Sequence, residues 1–357
     1  MKRRGNILLK LPAILYGFGS WVRNAAFELN ILPSVKPNIP TICVGNLSAG
    51  GTGKTPHIEL LIRLLTPKYR VAVLTRGYGR VGKKPIIATE EDTARTIGDE
   101  PFQIKRKFPD VMVYVDANRR RALEIMDAMP AKIRPDVVLM DDGFQHRYVT
   151  PTFNILLTPF HLPYTQDDFL PYGNLRESKA GAVRADSIIV TNTPPDTKPI
   201  GIRNITMDLN TLDYQEIYFS RVLYEQVAPL FPDTACSPPT EDTPVIAMAG
   251  IADPGSFFGE VERNFTEVLD ELTYPDHYSY TAQDIKELTD LLTEESNSIL
   301  ITTEKDAMRL LEYEDTIADE LKHRIWYLPI QVYLSPKNTQ RLLRRAERAI
   351  RDNTLHY

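Results

Sequence analysis

The sequence is poor in cysteine. Cys43 and Cys236 are the only two in 357 residues. They are too few and too far apart for a disulfide framework or a zinc cluster, so both read as reduced thiols. An excess of positive charge is also missing: 42 Lys and Arg stand against 47 Asp and Glu, a net charge of −5. That excludes the chain as a whole from the nucleic-acid binders. There is no long apolar run. The most hydrophobic stretch, Ile7 to Val22, is interrupted by Lys10, Pro12, Gly17 and Gly19, whereas a membrane span needs roughly 20 predominantly apolar residues. A signal peptide is a poor match too, because Trp21 and Arg23 stand where the small residues of a cleavage site belong. No internal repeat, no long low-complexity tract and no Asn-Lys-x-Asp motif for reading guanine is present.

What is there is a soluble, globular composition, 43% hydrophobic and 25% charged, at a length that fits two domains. Residues 1–38 form a basic segment, with Lys2, Arg3, Arg4, Lys10, Arg23 and Lys36 against Glu28 alone. Its aromatic and aliphatic residues suit either an amphipathic helix lying in a membrane interface or an ordinary helix packed on the domain. From Ile39 onward, short continuous apolar runs such as "PTICVGN", "RVAVLT", "VMVYV" and "DVVLMDD" alternate with helical spacing such as "HIELLIRLL". That pattern predicts a parallel sheet covered on both faces. Turn-rich and Pro-rich stretches follow Thr193 before strand and helix signals resume. The expected fold is α/β: a mostly parallel core of the phosphate-loop NTPase type, with a second, smaller α/β domain joined by an extended linker. The expected boundaries are 1–38 for the N-terminal segment, 39–212 for the core, 213–242 for the linker, 243–334 for the smaller domain and 335–357 for a C-terminal helix.

The stretch "SAGGTGKTP" lies between a strand ending near Gly45 and a helix beginning near Lys54. It lacks the first glycine of the usual phosphate-loop spacing, since Ser48 stands there, but it keeps the part that contacts phosphate. Gly50, Gly51 and Gly53 let the backbone turn its N–H groups inward, and the helix start adds partial positive charge. Ser48, Ala49, Gly50, Gly51, Thr52, Gly53, Lys54 and Thr55 are therefore the expected ATP-binding loop. Lys54 would reach the β- and γ-phosphates, and the Thr55 hydroxyl would ligate Mg²⁺.

"DVVLMDDGFQH" is an apolar strand ending in acids. In phosphate-loop enzymes such an acid holds Mg²⁺ directly or through water, which singles out Asp141. Asp142 either shares the metal or orients a phosphate partner, and Gln145 and His146 follow on the same loop. Phosphoryl transfer to an alcohol also needs a proton acceptor. Asp99 of "IGDEP" and the Asp276–His277 pair of "YPDHYSY" offer one, although Asp99 also reads as a helix cap.

Taken in order, "VGNLSAGGTGKTP", "LTRGYGR", "IGDEP", "DDGFQHR", "LPYGNLRES", "YPDHYSY" and "TTEKDAMR" resemble the motifs of the tetraacyldisaccharide 4′-kinases, the lipid A 4′-kinases. That family itself uses a loop without the first glycine. The resemblance implies that ATP phosphorylates the 4′-hydroxyl of a tetraacylated glucosamine disaccharide 1-phosphate, giving a lipid IVA type of product. It also implies a peripheral enzyme on the cytoplasmic face of a bacterial inner membrane, with the acylated lipid and an anionic membrane surface as partners and no obligate protein partner. Carried over by motif, Asp99 and His277 form the catalytic dyad beside Lys54, and Asp141 and Asp142 sit near metal and phosphates. Arg76, Tyr78, Gln145, Arg176 and Glu177 line the site, and the cluster Arg119, Arg120 and Arg121 offers a partner for the 1-phosphate. Lys305 and Asp306 would position the second domain. The rival reading is a nucleotide switch, an ATPase or GTPase acting on a protein or membrane partner.

Overall fold

The computed structural model describes residues 7–234, 237–276 and 278–354. Cys236 and His277 lie outside them. The first α-helix among the described residues is α1 (Lys10–Glu28). The first domain then runs β1 (Thr41–Asn46), α2 (Lys54–Leu65), β2 (Val71–Thr75), β3 (Ile86–Ile87), α3 (Ala94–Ile97), α4 (Asp99–Lys107), β4 (Met112–Val115), α5 (Arg119–Asp127), β5 (Val137–Asp141), β6 (Phe153–Pro159), β7 (Ser187–Thr191), α6 (Pro199–Leu209) and β8 (Glu216–Phe219). These eight strands form one sheet in the order β3-β4-β2-β5-β1-β6-β7-β8. Every pairing is parallel except that of β3, which runs antiparallel to β4 at the edge. Successive residues of β1 face opposite layers, Ile42 and Val44 into one cluster with α2 and Cys43 into another with Met140 and Leu156. Helices cover both faces, as continuous apolar strands require.

Strand β1 lies between β5 and β6, with Val44 level with Asp141. The chain leaves β1 toward β2 on the far side of β5. The phosphate loop and the acidic turn therefore emerge side by side at the carboxyl ends of adjacent strands, where open α/β sheets bind ligands.

The second domain continues with β9 (Arg221–Tyr224), β10 (Ala228–Pro229), β11 (Val245–Ala249), α7 (Gly255–Asn264), β12 (Val268–Thr273), α8 (Ala282–Glu294), β13 (Ile299–Thr303), α9 (Glu304–Leu310), α10 (Asp319–Lys322), β14 (Ile325–Leu328), β15 (Ile330–Tyr333) and α11 (Pro336–Thr354). Its five-stranded sheet has the order β10-β14-β13-β11-β12. Strands β9 and β15 pair with each other as an antiparallel ribbon, Tyr224 opposite Ile330 and Arg221 opposite Tyr333.

The ribbon changes the expected boundaries. Residues 213–242 do not form one linker: β8 hydrogen-bonds to β7 in the first sheet, β9 joins the ribbon and β10 joins the second sheet. Residues 330–333, assigned by pattern to the smaller domain, are the ribbon's other strand. A short apolar run needs backbone partners, and its own sequence does not say which sheet supplies them.

Helix α11 returns to the first domain. Leu342, Ala346 and Ile350, one turn apart on one face, are buried in the cluster that holds Ile58 and Leu65. Its polar contacts also reach back, Glu347 to Lys68 at 2.6 Å and Arg345 to the Asp186 carbonyl at 3.0 Å. Helix α1 is lopsided in the opposite sense. Ala13, Gly17, Asn24 and Phe27 face the protein, whereas Leu11, Ile14, Leu15, Phe18 and Trp21 are exposed. No helix among the described residues is long and apolar enough to cross a membrane.

If α11 is part of the first domain's core, Leu342→Ala should lower the free energy of unfolding by about 2–4 kcal/mol. Equilibrium urea denaturation checks this, and an unchanged midpoint would mean that the helix is only laid on the surface.

Candidate active site

Strand β1 leads straight into the phosphate loop, and the missing glycine has a structural explanation. Ser48 makes an antiparallel bridge to Leu175, the Ala49 N–H donates to the Asn174 carbonyl at 2.7 Å, and the Arg176 N–H donates to the Leu47 carbonyl at 2.8 Å. Ser48 is held by this bridge and is not among the residues with positive φ, so nothing there requires a glycine. The turn comes later, at Gly50 with φ 108° and Gly53 with φ 78°, conformations that a side chain disfavours. Gly53 precedes α2, whose first-turn N–H groups have no helical acceptors. Asn46 Nδ2 donates to Thr52 Oγ1 at 2.8 Å and ties the two ends of the loop together.

His57 was not singled out by its sequence pattern, yet it braces this loop. It is buried on α2, with Nδ1 2.7 Å from the Gly53 carbonyl and Nε2 3.0 Å from Ser220 Oγ. A carbonyl only accepts, so Nδ1 carries the proton and Nε2 accepts from the serine. Burial pushes the pKa of His57 down to about 4.

The acidic turn lies beside the loop. Asp141 ends β5 buried, and Asp142 follows in the left-handed region with φ 46°. Lys54 Nζ stands 3.8 Å from Asp142 Oδ1, and Arg176 Nη1 donates to Asp142 Oδ2 at 3.0 Å. Burial and the negative charge of Asp142 raise the carboxyl of Asp141 to about 7. Burial also works against Asp142, but Lys54 and Arg176 outweigh it and hold that carboxyl below its usual range. The Oδ1 atoms of both aspartates are buried without a hydrogen-bond donor. Beneath them lies Arg119, buried, donating to the Asp141 carbonyl at 3.1 Å and leaving its Nε without a partner.

The remaining residues expected from sequence separate into two groups. Gln145 joins the site, its amide donating to the Asn46 carbonyl at 2.5 Å. Arg176 links three parts, since its carbonyl also accepts from the Tyr16 hydroxyl of α1 at 2.9 Å. Arg76 and Tyr78 are exposed on the loop after β2. Glu177 instead points inward as a brace, paired with Arg184 at 2.6 Å and accepting from Asn24 of α1 at 3.3 Å. Of the arginine cluster, Arg119 alone faces the acids. Arg120 turns out to Glu124 at 2.9 Å and Arg121 pairs with Asp116 at 2.7 Å. On a helix, neighbours in sequence point about 100° apart, so three consecutive arginines cannot share a face.

Asp99 begins α4 and meets the second domain. Arg309 of α9 donates to its Oδ2 from Nε at 2.8 Å and from Nη2 at 2.7 Å. Lys305 stands 3.7 Å from Glu100 and 3.2 Å from Asp276. His277, expected as the partner of Asp99, lies outside the described residues. Asp306 is buried on α9, accepting from the Gly250 N–H at 2.8 Å and the Tyr280 hydroxyl at 3.1 Å. The loop that follows Gly250 reaches the phosphate loop: a Cβ placed on Gly51 would lie 3.7 Å from that of Ala252.

Residues 5–347 match the sequence profile of the family described as tetraacyldisaccharide-1-P 4′-kinase. The chain belongs to that family. It is 45% identical to a tetraacyldisaccharide 4′-kinase of Porphyromonas gingivalis strain W83, covering 93% of each chain. It is 44% identical to the enzyme of that name from Parabacteroides distasonis, over 92% of this chain and 90% of the relative. Among solved structures it resembles LpxK of Aquifex aeolicus, crystallised in complex with ATP, with 28% identity, a TM-score of 0.74, and 95% and 98% of the two chains covered. The phosphate-loop α/β architecture with two domains, expected from the strand pattern, is the one this 4′-kinase family shares.

His57 supplies a pH signature. As pH falls through 6.5, unfolded His57 takes up a proton that the folded residue refuses until about 4. The folded state therefore loses stability as pH drops across that window. The stability difference between wild type and His57→Gln should shrink by about 2 kcal/mol between pH 7.5 and pH 5. Denaturant titrations of both proteins at the two pH values measure it, and a constant difference would contradict the buried neutral ring.

Proposed function

We propose that this chain transfers the γ-phosphoryl group of ATP to the 4′-hydroxyl of a tetraacylated glucosamine disaccharide 1-phosphate, giving lipid IVA in lipid A synthesis. The observation that carries the reading is the joining of the phosphate loop to the Asp141–Asp142 turn at the ends of adjacent strands, in a chain of the 4′-kinase family. The nucleotide-switch alternative has no such support, since the relatives that match over nearly the whole chain carry the kinase name.

The residues suit a hard divalent cation. Two buried carboxylate oxygens lack donors, and a threonine hydroxyl sits at the start of α2. No group of three His, Cys, Asp or Glu side chains gathers among the described residues. Asp141, Asp142 and Thr55 would thus hold Mg²⁺ together with phosphate oxygens and water. Once bound, the ion neutralises charge on the transferring phosphates.

The chain's own residues do the rest. Loop N–H groups and Lys54 hold the β- and γ-phosphates in place. Arg119 offers its unpartnered Nε from below. Because these donors are fixed before ATP arrives, they need little reorganisation as charge moves, which is where most acceleration in this chemistry originates. Asp99 accepts the proton of the sugar hydroxyl, and His277 orients it. The second domain, with Ala252 beside Gly51, keeps water from the phosphates. Arg76, Tyr78, Gln145 and Arg176 line the approach of the disaccharide.

The outer face of α1 serves the lipid. Leu11, Ile14, Leu15, Phe18 and Trp21 are exposed together, and such a face with basic neighbours lies in the headgroup boundary of an anionic bilayer. A multi-acyl substrate leaves the bilayer at a cost of ~0.8 kcal/mol per CH₂, so the enzyme goes to the lipid. On this reading the protein works peripherally, on the cytoplasmic face of the inner membrane.

The deciding experiment incubates the protein with ATP, Mg²⁺ and the tetraacyl disaccharide 1-phosphate and reads the product by mass and by the position of the new phosphate. A gain of one phosphate on the 4′-hydroxyl is expected. Lys54→Ala should lower turnover by about 100-fold or more with unchanged melting. ATP consumption that ignores the lipid would overturn the kinase reading. In a flotation assay with anionic vesicles, Phe18→Glu combined with Trp21→Glu should move the protein to the soluble fraction, and unchanged flotation would remove α1 as the anchor.

A further inference from the structure

We infer that Arg309 is a positioning residue for phosphoryl transfer: its guanidinium fork, delivered by the second domain, fixes the Asp99 carboxylate in its proton-accepting orientation. The base is then set only when the two domains meet. This rests on the reading of Asp99 as the proton acceptor.

The geometry is that of a fixed tool rather than a loose surface pair. Both Nε and Nη2 of Arg309 reach the same oxygen, Asp99 Oδ2, at 2.8 and 2.7 Å. The arginine side chain is only 7% exposed, against 20% for Asp99. Its third nitrogen, Nη1, is tied to its own domain by Asp306 Oδ1 at 2.8 Å and the Gly250 carbonyl at 3.3 Å. Asp306 is itself immobilised. The Gly250 N–H and the Thr303 hydroxyl both donate to its Oδ2, at 2.8 and 2.6 Å, and the Tyr280 hydroxyl donates to Oδ1. Burial disfavours the guanidinium charge, but Asp99 and Asp306 outweigh it and strengthen that charge.

The segment that holds Arg309 also touches the nucleotide site. Gly250 accepts from Arg309, and two residues later Ala252 stands against Gly51 of the phosphate loop. One rigid piece of the second domain therefore bears on the base and on the phosphate loop together. Docking does not depend on Arg309 alone, since Lys305 spans to Glu100 and Lys107 of α4 pairs with Glu304 of α9 at 2.6 Å. Lysine in place of Arg309 would keep the charge and lose the fork.

The test uses the full chain with ATP, Mg²⁺ and the tetraacyl disaccharide 1-phosphate in mixed micelles, comparing wild type, Arg309→Gln, Asp99→Asn and the double variant. Arg309→Gln should lower kcat about 10-fold or more while KM for ATP stays within about 3-fold. In the Asp99→Asn background the same change should cost nothing further, because the arginine acts through the carboxylate. Wild-type kcat in Arg309→Gln beside an impaired Asp99→Asn would overturn the inference, as would losses that multiply in the double variant. If Arg309→Gln melts below the assay temperature, Arg309→Lys decides: a kcat reduced by about 3-fold or more with wild-type melting supports the fork, and wild-type kcat refutes it. Normal turnover by Asp99→Asn is a separate result that removes the base reading itself.

Discussion

The constraint on which the site depends is the cost of crowding negative charge out of water. Two adjacent aspartates end a buried strand, and a triphosphate is to be placed against them. Like charges a few ångströms apart in a medium of low dielectric repel by several kcal/mol unless cations are held in place. The structure answers from three directions. Lys54 comes from the phosphate loop, Arg176 from the segment that braces that loop, and Arg119 from beneath. Arg119 is buried, and the backbone of Arg176 is tied to Leu47. The balance is uneven between the acids. Asp142 pairs with Lys54 and Arg176 and stays below its usual range, whereas burial and the charge of Asp142 raise the carboxyl of Asp141 to about 7.

Much of the first domain was legible in the sequence, because its signals are local. A continuous apolar strand, a glycine turn and a Lys-Thr at a helix start stand within a few residues of each other, and the structure keeps them as read. The acids at the end of β5 were legible for the same reason. What escaped was set by partners distant in the chain. Ser48 stands without strain where a glycine is usual because Leu175 pairs with it. His57 looks like an ordinary helix residue until its ring is seen between Gly53 and Ser220. The three arginines of α5 form one patch in a string of letters and point three ways on a helix. The stretch from 213 to 242 reads as a connector, yet its strands are divided among three sheets.

Helix α1 joins an exposed apolar face to the segments that brace the phosphate loop. Its inner face touches the residues that brace the phosphate loop, through Tyr16 to Arg176 and Asn24 to Glu177. Gly17 permits that approach, since a methyl group there would meet the Phe169 ring at 2.8 Å. The apolar outer face is thus carried on the same rigid element that touches the site, so docking at a bilayer would orient the catalytic mouth as well as hold the protein there.

The ribbon of β9 and β15 would confine any travel of the second domain. Both chain crossings run through it side by side and are hydrogen-bonded to each other, and α11 locks the returning end back onto the first domain. A body hung from a twin strap cannot tumble as it would on a single thread. Were that body to move, the paired strands would leave it little more than a swing and a twist about one axis.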